Sequence, residues 1–173
     1  MTMDAAEFRD TVEAHGRTVY SIALRITRDT GVAEEVAQDV FLELHRSAEK
    51  LESADHVRFW LRRVAVHRAT DALRRGSRRP ESGAELWADE LHSAGQSGGV
   101  GLEDGMAYRL ETAVGSLPEA MRVAVVLRYS EEMTPDEISR MLGQPLATVK
   151  SNLQRGLKML RQKAAITLKE YVR

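Results

Sequence analysis

Apolar residues recur at helical spacing through most of the chain. Between residues 4 and 27, Phe8, Val12, Val19, Ile22, Ala23 and Ile26 fall on one stripe, which predicts an amphipathic helix. Asp29 or Thr30 can cap a second helix over about 32–50, with Val32, Val36, Val40, Phe41, Leu44 and Ala48 on its buried side. A short polar segment, Leu51 to Asp55, precedes a third helix from about His56 to Arg75. That helix offers Val57, Trp60, Leu61, Val64, Ala65 and Leu73 to a core. Three such helices make one small all-α domain.

The periodicity lapses between residues 76 and 105, which open on GSRRPESG and close on SAGQSGGVGLEDG, the composition of a flexible linker. Leu86, Trp87 and Leu91 within it suit one amphipathic turn, too short to hold alone in water. Relaxed, a tether of this length spans about 30 Å, and stretched out it reaches on the order of 100 Å. Helical patterning resumes near Met106. Tyr108, Leu110, Ala113 and Val114 form a first element. Ser116-Leu117-Pro118-Glu119 reads as the start of a second, capped by Ser116 and filled by Val123, Val125, Val126 and Leu127.

The most specific local pattern is TPDEISRMLGQPLATVKSNLQRGLKML, residues 134–160. Thr134 is placed to cap a helix, Pro135 takes its first position and Glu137 closes a capping box. Ile138, Met141 and Leu142 give that short helix a buried side, and Gly143 supplies the left-handed residue that ends it. A second helix follows Pro145, with Val149, Leu153, Leu157 and Leu160 inward. This is a helix-turn-helix, whose second helix enters the DNA major groove in that class of fold. Lys150, Ser151, Gln154 and Arg155 lie opposite the aliphatic stripe and are the candidates for base edges and phosphates.

Charge sharpens this picture. The formal net charge is only −1, yet residues 56–79 carry eight arginines against Asp71 alone. Residues 80–105 hold six acids and no Lys or Arg, and residues 150–173 hold seven bases against Glu170. Two cationic modules on an acidic tether suit a polyanion touched at two places. A different surface lies on the second helix, where Glu35, Gln38, Asp39 and Leu42 share one face opposite the aliphatic stripe. Acids around an exposed leucine suit docking onto a basic protein surface.

Other chemistry is set aside by the residues themselves. The absence of Cys excludes disulfides and thiolate metal sites. The five His show no metal spacing, no nucleotide-binding glycine loop follows a strand pattern, and no acid–base or nucleophile constellation is present. No cofactor and no enzymatic activity are therefore expected. The longest aliphatic run, Val123 to Leu127, falls far short of the roughly 20 residues of a membrane span. The first residues, MTMDAAEFRD, lack a signal-peptide pattern, so a cytoplasmic protein is expected.

VYSIALRITRDTGVAEEVAQDVFLEL with FWLRRVAVHRATDALRR, followed by residues 117–161, together resemble bacterial RNA polymerase sigma factors of the extracytoplasmic-function type. The resemblance implies an all-α fold of two small helical domains joined by a flexible acidic linker. Residues 1–77 correspond to sigma domain 2, 78–105 to the linker and 106–173 to sigma domain 4. It implies a promoter-directing subunit with core RNA polymerase (the β′ clamp helices and the β subunit), promoter DNA and an anti-sigma factor as partners. Glu35, Gln38, Asp39 and Leu42 then correspond to the polymerase-binding face. His56, Arg58, Arg62, Arg63, His67, Arg74 and Arg75 correspond to the reader and opener of the minus-ten element. Lys150, Ser151, Gln154 and Arg155 correspond to the reader of the minus-thirty-five element. Trp60 matches a core aromatic and Asp71 a partner for a nearby arginine.

Departures from the family pattern bear on which promoter is read. His67 stands where Asn is common, Arg68 and Thr70 replace usual apolar residues, and Leu44-His45 stand where a Trp is usual. Leu146 and Asn152 replace the common Glu and Arg of the recognition helix. Two other functions use the same elements: a sigma-like mimic that sequesters an anti-sigma factor, and a conventional helix-turn-helix regulator acting without polymerase.

Overall fold

The computed structural model describes residues 3–47, 51, 53–76 and 102–171, with side chains for all of these except 102–104 and 167–171. The chain divides into two compact units, Met1–Gly98 and Gly99–Arg173, and every regular element among the described residues is helical. The expected turn at Leu86, Trp87 and Leu91, and the Ala48 position, lie outside the described residues.

The first unit is three helices: α1 (Ala5–Thr27), α2 (Thr30–Ser47) and α3 (Ala54–Gly76). Asp4 and Glu7 form a capping box at the start of α1, with the Ala6 and Glu7 N–H groups donating to Asp4 Oδ1 at 2.8 Å. Arg28 ends that helix in the left-handed region at φ 59°, its N–H donating to the Leu24 carbonyl at 2.8 Å. Of the two candidate caps for α2, Asp29 acts: the Val32 N–H donates to its Oδ1 at 2.9 Å. The third helix starts two residues before the expected His56, because the Ser53 hydroxyl oxygen accepts from the His56 N–H at 3.1 Å.

The three helices pack pairwise around one core. Val19, Ile22, Leu24 and Ile26 of α1 meet Val36, Val40 and Leu44 of α2 and Leu61 and Val66 of α3, all buried. Ala23, Ala33, Ala65 and Ala69 are wholly buried too, and their small size lets the helix axes approach. Val57, Trp60, Val64 and Leu73, expected in this core, are half-buried, and Ala69 and Val66 take their place. At the far end of α1, Phe8 meets the edge of His45 of α2, with ring centroids 5.4 Å apart and planes at 69°.

The second unit holds α4 (Leu102–Gly115), α5 (Glu119–Val125) with a π-turn at Val126–Ser130, α6 (Pro135–Leu142) and α7 (Leu146–Tyr171). Residues 102–105, read from sequence as the end of the linker, are helical. Met106, Tyr108 and Leu110 of α4 are exposed rather than core. The expected Ser116 cap is not made. Pro118 is the N-cap of α5 without a side-chain bond, and the Ser116 hydroxyl donates back to the Ala113 carbonyl at 2.6 Å. Ser116 also accepts from Lys163 Nζ, which ties α7 to this corner. Val123, Ala124, Val125, Val126 and Leu127 are all buried, and five consecutive residues sweep the whole circumference of a helix. So the stretch that joins α5 to the π-helical segment is buried on every side, with α7 packed along α5.

Candidate nucleic-acid and partner surfaces

The helix-turn-helix is locked at both ends of its turn. Thr134 Oγ1 accepts from the Glu137 N–H at 3.3 Å while Glu137 Oε2 accepts from the Thr134 N–H at 2.7 Å. Pro135 occupies the first turn of α6, and Gly143 closes it at φ 62°. Just beyond, the Gln144 N–H donates to the Ser139 carbonyl at 3.1 Å, and the Ser139 hydroxyl donates to the Gln144 carbonyl at 2.6 Å. Pro145 then starts α7 by accepting from the N–H groups of Thr148 and Val149. These bonds fix the angle at which α7 leaves the turn.

On α7, Val149 and Gly156 are buried, and Lys150, Gln154 and Arg155 are exposed with Ser151 half-buried between them. Lys158 and Arg161 are also exposed and continue this face one and two turns further. Composition places these two in a basic block without assigning them to the surface; the four residues from Gln154 to Lys158 and the three from Lys158 to Arg161 are the spacing that does. Gly156 faces α5 so closely that an added Cβ would lie 3.0 Å from Val125 Cγ2.

The seven candidates on α3 do not form one patch. His56, Arg63, His67 and Arg74 recur at helical spacing with half-buried Trp60 and are exposed along one face. Arg75 is exposed beside them, its Nε donating to the Asp71 carbonyl at 3.3 Å, so Asp71 serves a neighbouring arginine through its backbone. Arg58 and Arg62 lie on the opposite side, toward His15 of α1, and Arg58 also pairs with Asp55 at 3.1 Å. Burial first, then the charges of Arg58 and Arg62, lower the His15 pKa below its usual 6.5. The unfolded chain therefore takes up that proton first as pH falls through 6.5, so stability should decline as the medium is acidified through that value. Denaturant midpoints measured near pH 7.5 and near pH 5.5 should converge in His15→Gln relative to the original chain. An identical pH dependence in the two chains would show that His15 is not coupled to folding.

On α2, Glu35, Gln38, Asp39 and Leu42 are all exposed on one face, and Leu42 retains 54% of its surface. Glu43, absent from the sequence-based candidates, adjoins this face and binds Arg68 of α3. Arg68 Nη2 and Nε donate to the same Glu43 Oε2 at 2.7 and 3.2 Å, and Nη1 lies 3.9 Å from Asp39 Oδ2. No group of His, Asp and Glu among the described residues could hold a metal ion, and no described helix is long and apolar enough to cross a membrane.

Two family models match the chain. The model of sigma-70 region 2 covers residues 11–79, and that of sigma-70 region 4 covers 107–160. The ECF RNA polymerase sigma factor SigW of Bacillus subtilis is 26% identical over 167 residues, spanning 92% of this chain and 89% of its own. The ECF RNA polymerase sigma factor SigK of a Mycobacterium species (strain KMS) is 32% identical over 148 residues, spanning 83% and 75%. Among solved structures, the sigma factor RpoE of Bartonella quintana, crystallised with the anti-sigma factor NepR, superposes with a TM-score of 0.67. It shares 16% identity over 92% of this chain and 98% of that one, which is a likeness of fold.

Proposed function

The chain belongs to the extracytoplasmic-function RNA polymerase sigma factors, DNA-binding proteins that direct promoter-specific initiation, and on that premise we propose how its surfaces divide the work. The first unit binds core polymerase through Glu35, Gln38, Asp39 and Leu42 of α2 and opens the minus-ten element with α3. The second reads the minus-thirty-five element with α7. Residues 1–77 and the unit that contains α4 to α7, from Leu102 on, are thus the two working domains, with the segment between them as their connection.

The observation that carries this reading is the face of exposed Lys150, Gln154 and Arg155, with half-buried Ser151 among them, on a helix whose exit from the turn is fixed by hydrogen bonds. In the major groove, bidentate contacts by Gln154 or Arg155 to base edges each contribute about 1–3 kcal/mol of discrimination. Lys150 and Lys158, at the margins of the face, meet phosphates, and these contacts weaken at high salt. On α3, the stripe of His56, Arg63, His67 and Arg74 lies along the displaced strand. Its cations offset the crowding of phosphates there, and the half-buried Trp60 among them offers a ring against which an extruded base stacks. Arg58 and Arg62, turned toward α1, act on the flanking duplex or on the fold. None of this requires a catalytic group in the chain: the polymerase performs the chemistry, and this protein places it. The site of action is the cytoplasm, where promoter DNA and polymerase meet, and an anti-sigma factor that occludes either unit is the expected antagonist.

Run-off transcription with core polymerase on a promoter mapped by transcript sequencing tests the reading. A start-specific transcript that depends on the added protein supports it. No transcript despite capture of an anti-sigma factor would identify a mimic, and tight duplex binding without polymerase would identify a conventional regulator. Within the same assay, Arg155→Ala should lower transcript yield about tenfold on the cognate promoter. A base contact there relaxes sequence preference at one position. A phosphate contact instead weakens all sequences together and reduces the salt slope by about 0.9. Unchanged yield would remove Arg155 from the interface.

A further inference from the structure

Arg68 is the arginine of α3 that does not join either of the cationic groups on that helix. It lies about 100° round the axis from His67, away from the stripe that includes Arg63 and Arg74. There it reaches α2, where its Nη2 and Nε both donate to Glu43 Oε2 and its Nη1 stands 3.9 Å from Asp39. Asp39 and Glu43 are four residues apart on α2, so their carboxylates are neighbours on the helix surface and repel one another without a cation between them. The guanidinium fork is planar and has donors to spare, which suits it to hold one carboxylate firmly and a second more loosely. Arg68, Asp39 and Glu43 side chains retain 42%, 57% and 36% of their surface, so the cluster is open to an approaching partner. The hydrogen bond from Arg68 to Glu43 is also the main cause that raises the Arg68 pKa, and the group stays charged.

Building on the α2 face as the polymerase-binding surface, we infer that Arg68 is a positioning residue for that surface: seated on Glu43, it holds the Asp39 carboxylate where a cationic group of the polymerase meets it. The charge of Arg68 is thereby withdrawn from the nucleic-acid face of α3 and committed to the protein-binding face of α2. The arrangement spans the two helices that perform the two tasks of the first unit, so a change at residue 68 is felt at polymerase binding before it is felt at promoter opening. Asp39 meets Arg68 at a distance too long for a direct hydrogen bond, so a partner cation can take the carboxylate without first breaking a tight pair.

The test uses the full chain and purified core RNA polymerase, with dissociation constants measured for single and combined variants. Arg68→Ala should weaken binding about fivefold, the upper range for an exposed ion pair, with an unchanged melting temperature. In a background of Asp39→Ala with Glu43→Ala, the same change should alter affinity by less than about twofold, because nothing remains to be positioned. Arg68→Met, which keeps length without charge, should behave as Arg68→Ala does and serves if the alanine variant is unstable. An Arg68→Ala loss of equal size in the double-alanine background would overturn the inference, since Arg68 would then act on the partner directly or through the fold. So would wild-type affinity in Arg68→Ala while Gln38→Ala with Asp39→Ala binds weakly, which leaves the α2 reading standing. If Gln38→Ala with Asp39→Ala also binds normally, the α2 reading and this inference fall together.

Discussion

Replacing Gly156 with Leu should unfold the second unit at a temperature about 10 °C below the original chain, while the first unit melts where it did before. The reason lies in the approach of α7 to α5. A single Cβ at residue 156 would already stand 3.0 Å from Val125 Cγ2, 3.5 Å from Met121 Cβ and 3.7 Å from Leu117 Cδ1. Leucine adds three further carbons into this wall, and overpacking of that kind costs about 3 kcal/mol. The helix propensity of Leu over Gly returns about 1 kcal/mol, leaving a net loss of roughly 2 kcal/mol. Gly156→Ala is the informative control, because one methyl asks Val125 to yield only a few tenths of an ångström, and its propensity gain offsets most of that cost. Its transition should lie within about 4 °C of the original. Calorimetry on the intact chain resolves the question, and a leucine variant melting at the original temperature would show that α7 does not pack on α5 as closely as described.

The second large effect is expected at polymerase binding. Gln38→Ala combined with Asp39→Ala should raise the dissociation constant for core polymerase about 30-fold, corresponding to about 1 kcal/mol lost at each position. Both side chains are exposed and neither lies in the core, so far-ultraviolet circular dichroism and the melting temperature should not move. Arg68 keeps its tight bond to Glu43 in that variant, so no charge is left buried without a partner. A dissociation constant within about twofold of the original would remove this face of α2 from the interface.

Features that depend on a few neighbouring residues are legible in the amino-acid order. The Thr134–Glu137 box, Pro135 and Gly143 all form as their spacing predicts, because a cap or a left-handed turn depends on backbone groups within one helical turn. Ser116 shows where the same rule misleads. Its pattern of Ser, Pro and Glu is a capping pattern, but the hydroxyl is in competition between two helices and donates backward to Ala113, at the end of α4. Trp60 shows another limit. Its apolar character points to the core, yet α3 presents it at the margin, and Ala69 and Val66 fill the interior because the helix faces two neighbours rather than one. The exposed acidic face of α2 is readable because its residues share one helix, as are the outer residues of α7. The seating of Arg68 is not, since it depends on where α2 brings Glu43.

From its order of residues alone, this chain commits to two clusters of helices, a charged surface on each cluster, and a tight turn between α6 and α7. All of these follow from the period of an α-helix, from caps within reach of their own backbone, and from the separation of apolar and polar positions onto opposite faces. Tertiary structure alone decided which cations serve which surface. Arg68 belongs to α2 because Glu43, 25 residues earlier, comes within 2.7 Å of it, and Gly156 is required because Val125 lies against it. Such contacts join residues far apart in the chain, and their energies appear only after the helices have packed, so no local pattern announces them.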